Sequence, residues 1–386
     1  MLEHQAKPRG NAVKIRAAVL NASPVAAPYA QTKPLAIEEV ELAPPGHDEV
    51  LVRVRAAGLC HSDLSVIDGN RPRPVPMVLG HEAAGEVVEP GAGVSDLKKG
   101  DRVIMVFVPS CGHCAPCSEG RPALCEPGNA ANGIGELIGG GRRLSAGGKP
   151  VHHHIGVSAF AEYAVISRHS LVKVEADIPH EIAALFGCAV LTGVGAVVNT
   201  AKVRAGETIA VVGLGGVGLS ALLGAVASGA SRVIAVDLAE DKLRIARELG
   251  ATDTFNAADA DVVEKIRAAT KGGVDHGLEM AGSVKALDLA YQITRRGGTT
   301  TTAGLANPAH SLSLSPVRLV AEERTLKGSY VGSCIPVRDI PRFIDLYLRG
   351  KLPVDRLLTS TSGLDGINEG FDALAEGRTI RHVILM

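Results

Sequence analysis

A chain of 386 residues with 46% hydrophobic and 21% charged side chains has a globular composition and enough length for two cores rather than one. Its 40 basic residues balance 41 acidic ones, so no net field draws in nucleic acid or an anionic membrane, and 3% aromatic residues without tryptophan leave little surface for base stacking. The stretch Met1 to Leu20 holds no apolar core of signal-peptide length, and no window approaches the roughly 18 apolar residues of a spanning helix. With seven cysteines that suit a reducing compartment if they bind metal, the expectation is a cytoplasmic protein with neither nucleic acid nor membrane as partner.

In chain order, the first half predicts short strands punctuated by glycine and proline at Val13–Leu20, Val50–Ala56, Glu82–Val88, Arg102–Val106 and Ala161–Ile166. The pattern changes near Cys188. Strands at Glu207–Val212, Arg232–Asp237, Val274–Met280 and Thr299–Ala303 then alternate with helices at Gly218–Ala227 and Glu240–Leu249, which implies a parallel sheet covered on both faces. From about Arg338 the tail reads as a helix (Ile340–Arg349), a second short helix and a last strand, Arg381–Leu385. The fold class expected is α/β. A doubly wound nucleotide-binding domain, 190–330, is inserted into a β-rich catalytic domain made of 1–189 and 331–386.

Gly213-Leu214-Gly215-Gly216-Val217-Gly218 fits G-x-G-x-x-G, a weak signal by itself in a chain with 45 glycines. Its setting strengthens it, because a strand precedes it, a small-residue helix follows, and Asp237 ends the next strand. Gly213 permits the tight turn, Gly215 lets a pyrophosphate approach the backbone, and Gly218 lets the helix pack on the sheet. The Asp237 carboxylate would hold an adenosine ribose and repel a 2′-phosphate, favouring NAD over NADP.

Cys111, Cys114, Cys117 and Cys125 stand in one short segment, the spacing of four thiolates closing a tetrahedral zinc shell. An iron–sulfur run would have a shorter last gap and a following proline, and paired disulfides disagree with the compartment. A second set is dispersed: Cys60 in Cys60-His61-Ser62-Asp63, His81 in Gly80-His81-Glu82, and Cys188 at the domain boundary. Two thiolates and one imidazole leave the fourth zinc position open, as a catalytic site requires, although each residue alone reads equally as core filler. His152-His153-His154 reads as polar lining on a loop, Cys334 as a buried apolar thiol, and Gly139–Gly141 with Gly147-Gly148 as a flexible loop.

Gly80-His81-Glu82-Ala83-Ala84-Gly85 with Gly91, the four-cysteine lobe, Gly187-Cys188-Ala189-Val190-Leu191-Thr192-Gly193 and the segment Val203 to Gly218 together resemble the zinc-containing alcohol dehydrogenases of the medium-chain dehydrogenase/reductase superfamily, over nearly the whole chain. The resemblance implies a GroES-like β-rich domain beside a Rossmann domain, NAD as coenzyme, and two zinc ions per subunit. An intact cysteine lobe resembles the longer, liver-type branch, whose members are usually homodimers.

Residue by residue, it implies that Cys60, His81 and Cys188 bind the catalytic zinc, with Glu82 just behind it and Asp63 orienting His81. Ser62 would pass the alcohol proton towards the coenzyme ribose. Asp237 and Lys242 would hold the adenosine ribose, Arg381 and His61 the pyrophosphate, and Thr192 the nicotinamide end, while Phe107, His154 and Tyr330 would line the substrate channel.

Departures from the family pattern are equally specific. His61 stands where many relatives carry arginine, Ser65 where a histidine often ends the proton relay, and His154 where an aromatic is common. Arg71 and Asn129 occupy positions that differ from those of glutathione-dependent formaldehyde dehydrogenases, which argues against that adduct as substrate. The expected activity is reversible hydride transfer between an alcohol and NAD, giving an aldehyde or ketone. A polyol or thiol-adduct substrate and a non-catalytic NAD(H)-binding relative are the competing readings.

Overall fold

The structure, a computed structural model, describes residues 11–386. The first ten residues of the expected catalytic domain, and of the stretch weighed as a leader, lie outside the described residues. The chain forms two compact units, one running to Cys188 and taking up Ile335–Ile344 and Leu358–Met386, the other made of Ala189–Cys334 and Asp345–Leu357.

Along the chain the strands of the first unit are β1 (Val13–Leu20), β2 (Leu35–Leu42), β3 (Glu49–Gly58), β4 (Met77–Val78), β5 (Glu82–Pro90), β6 (Arg102–Met105), β7 (Leu144–Ala146), β8 (Lys149–His153), β9 (Tyr163–Ser167) and β10 (Leu171–Lys173). The second unit carries β11 (Thr208–Val212), β12 (Arg232–Asp237), β13 (Asp253–Asn256), β14 (Val274–Glu279), β15 (Thr294–Thr302) and β16 (Thr325–Gly328); the chain then returns to the first unit with β17 (Leu358–Gly363) and β18 (Arg381–Leu385).

In the first unit β1, β2, β7, β8 and β4 close into a barrel, and a second sheet runs β10-β6-β5-β3-β18-β17 with β9 also on β3. Alternation explains the barrel: Ile15, Ala17 and Val19 of β1 meet Val40 and Leu42 of β2, Val78 and Val151 in one buried cluster. Strand β2, absent from the expected set, hides its alternation under three glutamates, of which Glu39 and Glu41 face solvent or partner Lys14 and Ser145.

Two expectations for the glycine- and histidine-rich segment are corrected. Gly147 and Gly148, both at positive φ, form the turn of the β7–β8 hairpin, so that stretch is not an open loop. His152 and His153 lie on β8 rather than on a loop, because Val151 fills the barrel core and the two histidines after it pair in parallel with Met77 and Val78 of β4.

The second unit has a six-stranded sheet of order β13-β12-β11-β14-β15-β16, parallel throughout. This is the doubly wound order, with β11 beside the point where the strand order reverses. Ile209–Val212 is buried on both faces, as a central parallel strand demands, and packs through Ala210 and Val212 against Ile234, Val236, Ile266 and Ala290.

His153 couples the barrel to pH. Its ring is buried, and its Nε2 accepts the backbone N–H of Arg143 at 3.0 Å. Burial, reinforced by the Arg143 and Arg142 guanidiniums, pulls the imidazole down to about 3. The unfolded chain takes up this proton near 6.5 and the folded chain only near 3. Stability is therefore full above that upper value and lost as pH falls towards the lower one. We expect the denaturant midpoint of the wild-type protein to drop through this window, and His153→Gln to remove up to about 1.4 kcal/mol per pH unit of the slope; equal slopes in the two proteins would show that His153 is not the group responsible.

Candidate metal centres and nucleotide-binding turn

Three segments of the first unit bring Cys60, His81 and Cys188 together. Cys60 caps the helix His61–Ile67 in extended conformation, just after β3. Gly80, at φ +91°, turns the chain into β5 so that His81 points inward; a Cβ there would lie 2.7 Å from the backbone nitrogen of Phe160. Cys188 follows the helix His180–Leu185. The ligand atoms of the three lie within 4.8 Å of one another, and all three side chains are buried.

The orientation of His81 decides which nitrogen is offered. Its Nδ1 is 3.1 Å from Asp63 Oδ1, which also accepts the Gly80 N–H at 3.0 Å. Its Nε2 is buried with no hydrogen-bond partner. A proton held on Nδ1 by the carboxylate leaves a lone pair on Nε2 facing two sulfurs, the donor set of a zinc site.

Charge is concentrated behind this set. The Cys188 thiol hydrogen-bonded to Cys60, with His81 and Arg381 nearby, holds Cys60 well below the ordinary thiol range, while that bond and burial push Cys188 well above it. Burial opposes protonation of His81, but the adjacent Asp63 carboxylate raises it well above the usual imidazole value. Burial pushes Glu82 up to about 7 against the pull of Arg381, whose Nη1 is 3.7 Å from Glu82 Oε2. Arg381, expected at a pyrophosphate, is thus buried beside the metal set, and the same Nη1 donates to the Leu59 carbonyl at 3.2 Å.

Phe107 lies against the His81 imidazole, its ring edge-on at 5.1 Å. His154, expected on the substrate wall, is buried with Nε2 3.2 Å from Asp63 Oδ1 and its ring 5.7 Å from that of His81. No signal in the sequence pointed to this contact beyond a histidine replacing an aromatic. Ser62 is half-buried on the first turn of its helix and His61 exposed. Ser65 Oγ donates to the His61 carbonyl at 2.7 Å, so its proton is committed to the helix backbone.

In the cysteine lobe the four sulfurs of Cys111, Cys114, Cys117 and Cys125 lie within 4.8 Å of one another, and none of the seven cysteines forms a disulfide. Cys114 caps the short helix Ala115–Ser118 and Cys125 the helix Glu126–Ile134. Backbone N–H groups of Cys111 and Gly128 point at Cys125 Sγ at 3.2 and 3.4 Å, and that of Cys114 at Cys111 Sγ at 3.3 Å. The N–H groups of His113 and Cys114 bring Cys111 down to about 6, whereas burial among its neighbours pushes Cys117 up to about 12. Donors aimed at sulfur favour thiolate, and four thiolates in one cluster need a cation.

In the second unit the glycine turn joins β11 to the helix Gly216–Ala227. Gly213 sits at φ +93°, a Cβ on Gly218 would lie 1.8 Å from the Gly213 carbonyl oxygen, and the space beside Gly215 is open to 4 Å. Each glycine therefore meets the demand that a phosphate-binding turn places on it. Leu214, Gly216 and Val217 complete the turn, and Asp237 at the end of β12 accepts the Leu214 N–H at 2.6 Å and the Ala239 N–H at 3.0 Å. Lys242 is half-buried on the helix Glu240–Glu248, Thr192 buried on the helix Ala189–Gly195, and Tyr330 exposed beyond β16.

Residues 46–176 match the model of the alcohol dehydrogenase GroES-like domain, and residues 216–349 that of the zinc-binding dehydrogenases. Among solved structures, an alcohol dehydrogenase zinc-binding domain protein from Burkholderia ambifaria is 36% identical over 97% of this chain and 100% of its own, with a TM-score of 0.92. The benzyl alcohol dehydrogenase of Acinetobacter calcoaceticus is 34% identical over 97% of this chain and 99% of its own, with a TM-score of 0.90. A protein of Sinorhizobium meliloti described as a zinc-binding dehydrogenase, solved with NADP, is 26% identical over 97% of this chain and 100% of its own, with a TM-score of 0.79. With its GroES-like and nucleotide-binding domains, the chain belongs to the zinc-containing alcohol dehydrogenases of the medium-chain dehydrogenase/reductase superfamily, a family of oxidoreductases.

Proposed function

We propose that the protein is a zinc-dependent, NAD-linked alcohol dehydrogenase that interconverts an alcohol with its aldehyde or ketone. The observation that carries this reading is the buried Cys60–His81–Cys188 set, whose one imidazole offers an unpartnered Nε2 beside two thiols. Three protein ligands are the number a catalytic zinc retains, and the four-cysteine lobe is the closed set of a structural one. When bound, the catalytic zinc supplies Lewis acidity to an alcohol oxygen and the nicotinamide accepts the hydride.

The chain's own residues supply the rest. Asp63 holds the His81 proton on Nδ1 and keeps the ring aimed. Ser62 takes the alcohol proton; with Ser65 bonded to the His61 carbonyl, the proton leaves to solvent rather than through that side chain. The turn Gly213–Gly218 binds the pyrophosphate, with His61 as a further contact, while Lys242 and Asp237 hold the ribose and Thr192 the nicotinamide end. Asp237 favours NAD, because a 2′-phosphate beside its carboxylate is repelled, although the Sinorhizobium meliloti relative was solved with NADP. Phe107 and Tyr330 line the substrate site, where the likeness to a benzyl alcohol dehydrogenase puts benzylic alcohols first among substrates to try.

Six metal-binding thiols fit a compartment that keeps cysteines reduced, hence the cytoplasm. We infer a homodimer as well, supported by the sheet edge at β16 and by Val317 and Val320, 71% and 77% exposed on the helix Pro316–Ala321.

NADH formation over primary, secondary, benzylic and polyol alcohols, repeated with NADP, tests the reading. Turnover of one class with NAD, lost on zinc removal and restored by zinc, is expected; normal turnover by zinc-free protein would sink it. Cys60→Ala and His81→Ala should each abolish turnover and lose one equivalent of zinc while NADH still binds, as read by its fluorescence. Ser62→Ala should lose ~10²-fold in rate, as the removal of a proton-transfer group does, and an unchanged pH–rate profile in that variant would assign the relay to another group.

A further inference from the structure

Asp63 is buried, and one of its oxygens serves three neighbours. Oδ1 accepts the Gly80 N–H at 3.0 Å and lies 3.1 Å from His81 Nδ1 and 3.2 Å from His154 Nε2. His154 reaches it from the end of β8, where β4 pairs with the preceding residue and the His154 N–H bonds Ser158 Oγ at 2.8 Å. A ring nitrogen this close to a carboxylate carries its proton there, since a lone pair would face the anion. Two imidazole nitrogens therefore crowd one oxygen: His81 Nδ1 in a hydrogen bond, its Nε2 left to the two cysteines, and His154 Nε2 at 3.2 Å, close enough for an ion pair but outside hydrogen-bond geometry.

We infer that His154 is a positioning residue of the metal centre, holding the Asp63 carboxylate in the rotamer that aims His81. The inference rests on the zinc reading of Cys60, His81 and Cys188. The second imidazole packs its nitrogen 3.2 Å from the carboxylate, which has lost the solvent that would otherwise surround it, and so restricts the rotamer from which Asp63 meets His81 Nδ1. An aromatic hydrocarbon at this position fills the space without a polar atom facing the carboxylate. His154 touches Asp63 rather than the reacting atoms, so its effect appears first in how the centre holds its ion.

The test compares wild-type protein with His154→Phe, His154→Gln and His154→Asn. Zinc retention is read by competition with a chelator, and the visible spectrum is read after cobalt replaces the catalytic zinc. His154→Phe should bind the catalytic ion about 10- to 100-fold more weakly, the range for loss of an outer partner of a metal-binding histidine, and should shift the cobalt bands. His154→Gln, whose amide reaches the same oxygen, should restore most of both; His154→Asn, whose amide falls short, should behave as His154→Phe and serves if that variant does not fold. In an Asp63→Asn background, His154→Phe should add no further loss, because its effect runs through the carboxylate.

Unchanged retention and spectrum in both His154→Phe and His154→Asn would overturn the inference, as would additive losses in the double variant. Three equivalents of ion in the wild type falling to two in His154→Phe would make His154 a ligand with Asp63 and overturn it too. Failure of the zinc reading is separable: Cys60→Ala would then hold as much zinc as the wild type.

Discussion

Everything at the first metal set depends on a single buried carboxylate. An ionised aspartate taken out of water is costly unless its charge is met by hydrogen bonds or a partner, and Asp63 is met by the Gly80 N–H and the His81 imidazole, with the His154 ring nitrogen 3.2 Å away. That constraint reaches back into the fold. The Gly80 N–H points at Asp63 because the chain turns there at positive φ, and the same turn delivers His81. Asp63 itself is presented by a helix whose capping residue is Cys60. One short helix and one glycine thus fix two of the three candidate ligands and the tautomer of the imidazole.

What was legible in the sequence was local. Val13–Leu20, Arg232–Asp237 and Arg381–Leu385 form strands with the expected bounds, because runs of alternating or wholly apolar residues leave little choice. The cysteine lobe is carried by one short segment, and its four sulfurs converge as their spacing implied. The glycine turn is equally local, each glycine answering a clash or a conformation visible in the chain itself. The shorter strands were not legible. Leu35–Leu42 is masked by glutamates on its outer side, and the histidine run 152–154 looks uniform although His152 is half-buried and the other two are buried.

Contacts made across long stretches of chain were the least legible. Asp237 reads from the sequence as a ribose ligand, yet its carboxylate also bonds the Leu214 N–H inside the glycine turn. That bond ties the end of β12 to the turn after β11, so the carboxylate proposed to select the coenzyme also braces the turn proposed to bind its phosphates. His154 read as a wall of the substrate channel because the pattern it departs from places an aromatic there. Only the approach of the segment after β8 to the helix His61–Ile67 brings its nitrogen to Asp63.

The pairing of Glu82 with Arg381 bears on the charge at the candidate metal set. Two thiolates balance the two charges of zinc, which keeps such a centre near neutral and its hold on an anionic oxygen moderate. An unpaired Glu82 carboxylate behind the two cysteines would raise the negative charge and compete for the ion. Arg381 offsets it: the guanidinium is buried 3.7 Å from the carboxylate and anchored to the Leu59 carbonyl, one residue before Cys60. That anchor ties the last strand of the chain to the segment bearing the first ligand, so the electrostatic balance of the centre is built by residues at opposite ends of the sequence. A substitution at Arg381 would therefore act on the metal set as well as on any phosphate that the residue meets.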